Sequence, residues 1–344
     1  MSERILVTGA AGFIGMHVSH RLLRDGRTVL GVDNLNSYYD PALKAARVAE
    51  LNKFPGLAFE KLDLADRPAT AALFSRERPR CVIHLAAQAG VRHSLTDPHA
   101  YADANLLGFL NVLEGCRHAG CKHLIYASSS SVYGANTAMP FRTSDNVDHP
   151  LNLYGATKKA NELMAHAYSH LFALPATGLR FFTVYGPWGR PDMAMWLFTE
   201  AILHGRPIKL FNSGKMRRDF TYIDDVIEAV VRLIPLAPMG TPNWKGNDPA
   251  TSPAPWRVFN IGNSRPVEIT QVVQLIERAT GKRAKIELLP MQPGDVPETY
   301  ADATALEQTV GFRPNTPIGE GIRRFVKWFL SFPAAHADRE SASL

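Results

Sequence analysis

Tyr154 and Lys158 stand four residues apart in Leu153-Tyr-Gly-Ala-Thr-Lys158, downstream of an unbroken serine run, Ser128 to Ser131. On a helix, positions i and i+4 project from one face, so the lysine ammonium can lie beside the phenol. A free tyrosine has a pKa of about 10 and is a poor base at neutral pH. A fixed positive charge favours the phenolate, and lowering the pKa by about 3 units takes roughly 4 kcal/mol of differential stabilisation. Tuned in that way, Tyr154 could take the proton of a hydroxyl while a hydride leaves the same carbon. A neighbouring serine could hold the oxygen during the exchange. A packing tyrosine beside a surface lysine has the same spacing, so the surrounding elements must decide.

Upstream, Arg4-Ile-Leu-Val7 is a short apolar run that predicts a buried strand, followed at once by Thr8-Gly-Ala-Ala-Gly-Phe-Ile-Gly15. Phe13, Ile14, Val18 and Leu22 then repeat at helical spacing. Strand, glycine turn and helix together make the glycine spacing meaningful. Gly9 and Gly12 allow a tight turn and close approach of a pyrophosphate, Gly15 lets helix and strand pack closely, and the helix N-terminus faces the anion. A second predicted strand, Thr28 to Val32, ends in Asp33. An acid there suits a ribose diol and repels a 2′-phosphate, which favours NAD over NADP.

Further strand-helix units follow. Leu57 to Leu62 leads to Asp63-Leu64 where an adenine would lie, and Cys81 to Leu85 runs into Ala86-Ala87, small residues where a cofactor would cross the strand ends. His123 to Ala127 precedes the serines. The alternation predicts an α/β fold, a Rossmann-type doubly wound parallel sheet with its ligand at the C-terminal strand edges. Asn105 could bond the cofactor or cap neighbouring backbone. His84, on an apolar strand, reads as a satisfied core histidine. His17, His20, His93 and His99 lack helical metal-site spacing, so no metal is expected.

Composition narrows the class. The 344 residues, 46% hydrophobic and 20% charged, suit one large α/β unit or two coupled lobes. No apolar run approaches the roughly 18 residues needed to span a bilayer, and no secretory signal is visible, so a cytoplasmic protein without membrane insertion is expected. Cys81, Cys116 and Cys121 are odd in number and suit small buried hydrophobes in a reducing compartment. A net charge of +6 is spread in singles, pairs and triplets, which argues against nucleic acid and suits a diphosphorylated, carboxylated small molecule.

With these motifs in order, the sequence resembles the extended short-chain dehydrogenase/reductases that modify nucleotide sugars. The resemblance rests on Thr8 to Gly15, Asp63-Leu64, His84-Leu-Ala-Ala87, Ser128 to Ser131 ahead of Val132-Tyr-Gly134, and the Tyr154/Lys158 pair, and it runs from residue 3 to about 330. Within that family the chain is most similar to the UDP-glucuronate 4-epimerases. That narrower likeness lies in Asp33-Asn-Leu-Asn-Ser-Tyr-Tyr-Asp40, Ala87-Gln-Ala-Gly-Val-Arg92 and Arg180-Phe-Phe-Thr-Val-Tyr-Gly-Pro-Trp-Gly-Arg-Pro-Asp-Met193. The resemblance implies bound NAD held by Gly9, Gly12, Phe13, Ile14, Gly15, Asp33, Asn34, Asp63, Leu64, Leu85, Ala86, Ala87 and Asn105, with Lys158 on the nicotinamide ribose. It implies Ser129 and Tyr154 on the hydroxyl that is oxidised. Gln88, Arg92, Ser130, Ser131, Thr183, Arg190, Arg218 and Asp295 are implied for a UDP-sugar acid, with Thr183 and Arg190 at its carboxylate and Arg218 at its diphosphate. It also implies a homodimer through two long helices, an NAD-binding domain over residues 1–180 with later segments returning to it, a sugar-nucleotide lobe over 181–330, and a tail over 331–344.

The substrate chemistry gives Arg190 a purpose. Oxidising C4 of a glucuronate creates a ketone β to the carboxylate carbon, and such an acid loses carbon dioxide readily. A bidentate arginine holds the carboxylate in one plane and stabilises its charge against that loss. Ser130 and Ser131 stand where related dehydratases and decarboxylases carry acids. Gln292 stands where UDP-galactose 4-epimerases usually carry an arginine, which weighs against a neutral hexose. The alternatives are a UDP-glucose or UDP-N-acetylglucosamine 4-epimerase, a UDP-glucuronate decarboxylase, and an NAD-sensing regulatory protein without turnover. Pro235, Pro238, Pro242, Pro249, Pro253 and Pro255 predict a loop over 235–256, and Arg217 is expected to be solvated.

Overall fold

The computed structural model describes residues 4–291 and 296–332. In the first half the elements run β1 (Ile5–Thr8), α1 (Phe13–Arg24), β2 (Val29–Asp33), α2 (Pro41–Leu51), β3 (Leu57–Lys61), α3 (Arg67–Glu77), β4 (Cys81–His84), the single turns α4 (His93–Thr96) and α5 (Pro98–Tyr101), α6 (Gly108–Ala119), β5 (His123–Ser129), α7 (Leu153–Phe172) and β6 (Ala176–Phe181). The second half adds β7 (Thr183–Tyr185), α8 (Ala194–Leu203), β8 (Pro207–Leu210), β9 (Arg217–Tyr222), α9 (Ile223–Leu233), β10 (Trp256–Ile261), β11 (Pro266–Glu268), α10 (Ile269–Thr280), β12 (Lys285–Leu288), β13 (Glu298–Thr299), α11 (Thr304–Val310) and α12 (Ile318–Ser331).

Seven strands form one parallel sheet in the order β10-β6-β5-β4-β1-β2-β3. β1 and β2 are buried throughout, as strands covered by helices on both faces must be. The chain winds outward from β1 to β3, then from β4 to β6 on the other side, so a crevice opens where β1 and β4 part company. β10 returns after the long loop as the seventh strand, and α9 lies against α1 with an Arg21–Glu228 ion pair at 2.7 Å. The later segments thus rejoin the large sheet, while β7, β9, β11 and β13, and separately β8 and β12, form smaller sheets. No helix or strand falls between Pro235 and Pro255, but Trp256 belongs to β10, and its indole N–H donates to the Tyr126 hydroxyl at 3.1 Å. Ser331, placed in the tail by sequence, completes α12.

Local signals fix α7, the helix that carries Tyr154 and Lys158. Asn152, two residues before Tyr154, caps α7 by accepting the Gly155 N–H at 2.8 Å, so the helix starts at Leu153. Gly155 is required by contact: a Cβ there would stand 2.6 Å from the Ser131 carbonyl oxygen. Tyr154, Lys158 and Glu162 then follow at i, i+4 and i+8 down one stripe. At the foot of that stripe Glu162 meets Arg180 of β6 in a two-pronged pair, at 2.8 and 2.9 Å, with side chains only 2% and 1% exposed. Ser128 of β5 donates to Glu162 at 2.7 Å, and Arg180 also donates to the Tyr133 hydroxyl at 3.1 Å. Tyr133 in turn donates to Asn260 of β10 at 2.7 Å.

Burial by itself would neutralise Glu162, but the Arg180 guanidinium outweighs it and holds the carboxyl below its usual range. A depressed pKa contributes stability that is complete above the unfolded value near 4.5 and is lost as pH falls through the folded value. Arg180→Met leaves Glu162 buried without its partner and is expected to cost about 3–5 kcal/mol. Urea denaturation should show that deficit at pH 7.5 and a narrowing of it toward pH 4. A deficit that stays constant across this range would mean the pair does not carry it.

Candidate active site

The crevice at the strand ends holds a cavity of about 460 Å³. Gly9, Gly12, Phe13, Ile14, Gly15, Asp33, Asn34, Asp63, Leu64, Leu85, Ala86 and Ala87 line it together with Gln88, Ser129, Ser130, Ser131, Tyr154, Lys158, Thr183, Arg190 and Arg218. Residues from the turn after β1 to β13 are thus brought to one space. Two of the residues assigned from sequence are placed elsewhere, and Asp295 lies outside the described residues, as does Gln292.

Asn105 is the first. It sits in a π-helical turn, Ala102–Leu107, ahead of α6, and the extra residue swings its amide onto the β4 end. Its Oδ1 accepts the Gln88 N–H at 2.9 Å, and its Nδ2 donates to the Gln88 carbonyl at 3.0 Å and to Thr157 at 3.1 Å. Of its two sequence readings, the backbone cap is the one this geometry displays. Arg92 is the second: it is exposed, and its guanidinium stacks 4.9 Å from the Phe211 ring centroid instead of lining the cavity. Arg217 carries an ion pair to Glu298 at 2.9 Å. His84 is in the core, with Nδ1 2.8 Å from the Thr8 hydroxyl.

The nucleotide end fits a dinucleotide by its donors. Gly9 adopts φ +69°, and a Cβ there would lie 2.7 Å from the Ala86 nitrogen, so β1 and β4 approach closely only through glycine. α1 begins without a side-chain cap or an acid in its first turn, leaving its N–H groups to an anion. Asp33 accepts the Ala11 N–H at 3.2 Å and the Leu35 N–H at 2.8 Å, so it also fastens the glycine turn while lining the cavity.

At the other end the electrostatics differ from expectation. Lys158 donates to the Ala127 carbonyl at 3.0 Å, and burial lowers its pKa to about 7. Burial raises the pKa of the Tyr154 phenol, against a hydrogen bond from Ser129 and the positive charge of Arg190 that lower it. The cation that acts on the phenol here is Arg190, reached across the cavity, because the lysine tip turns to β5. Arg218 donates to the Arg217 and Pro297 carbonyls at 3.0 and 3.1 Å.

Several lining residues had no individual signal in sequence. Asn36, Tyr38 and Tyr39 follow Asp33, and Lys44 donates to Asn36 at 2.6 Å from α2. Arg47, wholly buried one turn on, donates to the Ala11 carbonyl at 2.9 Å and the Trp188 carbonyl at 2.7 Å. It ties the glycine turn to the loop bearing Arg190. Lysine and arginine on a helix normally mark its wet face, which is why α2 gave no warning. Among the described residues no group of three or more His, Cys, Asp or Glu is placed to hold a metal, and no helix is long and apolar enough to cross a membrane.

A doubly wound sheet with an anion-ready turn at its switch point, sharing one cavity with Ser129, Tyr154 and Lys158, defines a dinucleotide-dependent enzyme that acts on a hydroxyl. The NAD dependent epimerase/dehydratase family pattern matches residues 5–242, and the chain belongs to that family. UDP-glucuronate 4-epimerase 4 of Arabidopsis thaliana is 45% identical over 333 residues, 95% of this chain and 75% of that protein. The crystal structure of UDP-glucuronic acid 4-epimerase from Bacillus cereus, in complex with UDP-glucuronic acid and NAD, has a TM-score of 0.85 at 31% identity, covering 95% of this chain and 99% of that one. The UDP-glucose 4-epimerase of Thermotoga maritima, with UDP-glucose, reaches 0.82 at 31% identity and the same coverage. Overall shape therefore does not separate acid from neutral sugar; the residues facing the sugar must.

Lys158 makes a pH prediction. Its folded pKa is about 7 against 10.5 for a free lysine, so between these values the unfolded chain binds a proton the folded chain releases. Stability from this residue rises with pH across that window, and it is complete above about 10.5. Lys158→Met should remove that rise when urea midpoints are compared from pH 7 to 10. Parallel curves for variant and wild type would show a solvated ammonium.

Proposed function

We propose that the chain interconverts UDP-glucuronate and UDP-galacturonate by oxidation at C4, turnover of the 4-keto sugar and reduction from its opposite face. The observation that carries this reading is Arg190: it lines the same cavity as Tyr154, Ser129 and Thr183, and its charge acts on the Tyr154 phenol. A carboxylate one carbon from the oxidised centre would meet an arginine there. NAD, when bound, supplies the hydride acceptor and donor, and its oxidised ring brings a positive charge to the site. Tyr154 takes the C4 hydroxyl proton and later returns one, with Ser129 holding the oxygen. Lys158 spends one N–H on the Ala127 carbonyl, and its remaining N–H donors would be free to hold the nicotinamide ribose.

Acids that could drive elimination are held as paired carboxylates: Glu162 by Arg180, and Asp192 by Arg190 and Tyr38. The keto acid is thus held by cations without a local proton donor for dehydration. Gln88, Ser130, Ser131 and Thr183 supply neutral hydrogen-bonding groups around the sugar, and Arg218 a charge for the diphosphate. Residues 181–330 make up most of the sugar-nucleotide lobe. A homodimer is supported by Leu163 and Leu171, exposed on α7 at 59% and 67%, and a cytoplasmic location by the three free cysteines.

Purified, NAD-loaded protein given UDP-glucuronate should yield a product of equal mass and different retention, without accumulating NADH. A product lighter by carbon dioxide would identify a decarboxylase, and faster turnover of UDP-glucose a neutral-sugar epimerase. Tyr154→Phe should lower kcat by about 10²–10⁴-fold. Arg190→Ala should slow epimerisation and release some decarboxylated pentose product; unchanged kinetics would remove Arg190 from the site chemistry.

A further inference from the structure

Arg190-Pro191-Asp192 forms a tight turn in which the Met193 N–H donates to the Arg190 carbonyl at 3.2 Å. Proline at the second turn position fixes the backbone so that residue 192 folds back over residue 190. Asp192 fills the arginine fork: Nε donates to Oδ1 at 2.9 Å and Nη2 to Oδ2 at 2.5 Å. This is the planar, two-pronged geometry by which a guanidinium binds any carboxylate. The Tyr38 hydroxyl donates to the same Oδ2 at 3.0 Å, from the loop between β2 and α2. Arg190 and Tyr38 line the cavity, with the guanidinium carbon 6.0 Å from the Tyr38 ring centroid.

A sugar carboxylate gripped by Arg190 in a fork must therefore take the place of one already there. We propose that Asp192 is a positioning residue, an internal stand-in that occupies the Arg190 fork and is exchanged for the carboxylate of the uronate when substrate binds. This rests on the UDP-glucuronate reading. Tyr38 gives the displaced Asp192 a partner, so the exchange does not strand a carboxylate. At the fork itself one carboxylate replaces another: Arg190 lowers the Tyr154 pKa, Asp192 raises it, and the arriving acid takes the place of Asp192 on the guanidinium. Such an exchange tempers the grip on the acid, so that a site built to hold a carboxylate through a reactive keto stage still releases its product. A neutral hexose brings nothing to exchange.

The test uses NAD-loaded Tyr154→Phe protein, in which turnover is blocked and equilibrium binding can be measured by calorimetry. Adding Asp192→Asn should tighten UDP-glucuronate about tenfold, one charge-assisted contact's worth of competition. UDP-glucose affinity should stay within about twofold, which also shows that the variant folds. In a crystal structure with UDP-glucuronate, the Arg190 fork should hold the sugar carboxylate and Asp192 should keep only Tyr38. Unchanged or weaker acid binding in Asp192→Asn, or an Arg190–Asp192 fork intact beside the bound sugar, overturns the exchange while leaving the epimerase reading in place. If neither protein binds UDP-glucuronate, that reading fails and the exchange fails with it.

Discussion

The buried pair between Glu162 and Arg180 is the constraint on which the site depends. Two charges taken out of water gain little net stability over a well-packed apolar substitute, but they tolerate few geometries. Here the fork joins α7 to β6, Ser128 brings in β5, and Tyr133 and Asn260 extend the network to β10. An apolar contact at residue 162 would let α7 roll by some degrees at little cost. A two-pronged pair does not. Because Lys158 and Tyr154 stand one and two turns up the same stripe, fixing the rotation of α7 at its middle aims both into the cavity.

A second constraint links the cofactor end to the sugar end. Arg47 grips the glycine turn through Ala11 and the Arg190 loop through Trp188 and Gly189, and it does so from the interior. Burial pulls its pKa down, and the Tyr39 hydroxyl beside it works in the other direction. Its three main-chain acceptors compensate part of the lost hydration. The consequence is that the loop bearing Arg190 and Asp192 is registered against the dinucleotide turn, so the sugar carboxylate and the cofactor are positioned from one scaffold.

Much of the fold was legible because its signals are local. The apolar runs at β1, β2, β4 and β5, the glycine turn and the acid ending β2 are each short local signals, and α/β alternation implies a parallel, doubly wound sheet. The placement of the serines, Tyr154 and Lys158 around one space followed from that topology. Less legible were the places where a side chain's partner is remote. Asn105 was read from its helix, yet a π turn sends its amide to the Gln88 backbone. Arg92 was carried with its segment, yet the turn after Gly90 leaves it against Phe211. Lys44 and Arg47 look like solvated charges on α2 until the loops that cover them are in place.

Sequence by itself determined the chemistry available to this chain: a turn for a dinucleotide, a phenol and an amine at helical spacing, hydroxyls beside them, and an arginine where a carboxylate would be. The first three follow from residue type and short-range spacing, which any fold containing the segments must respect; the arginine is implied by the family resemblance. Tertiary structure alone decided where the charges act. It turned the Lys158 ammonium onto Ala127, made Arg190 the cation that acts on Tyr154, and closed the Arg190 fork on Asp192. The reason is that burial and charge pairing depend on distances between segments far apart in the chain, and the low-polarity interior magnifies both.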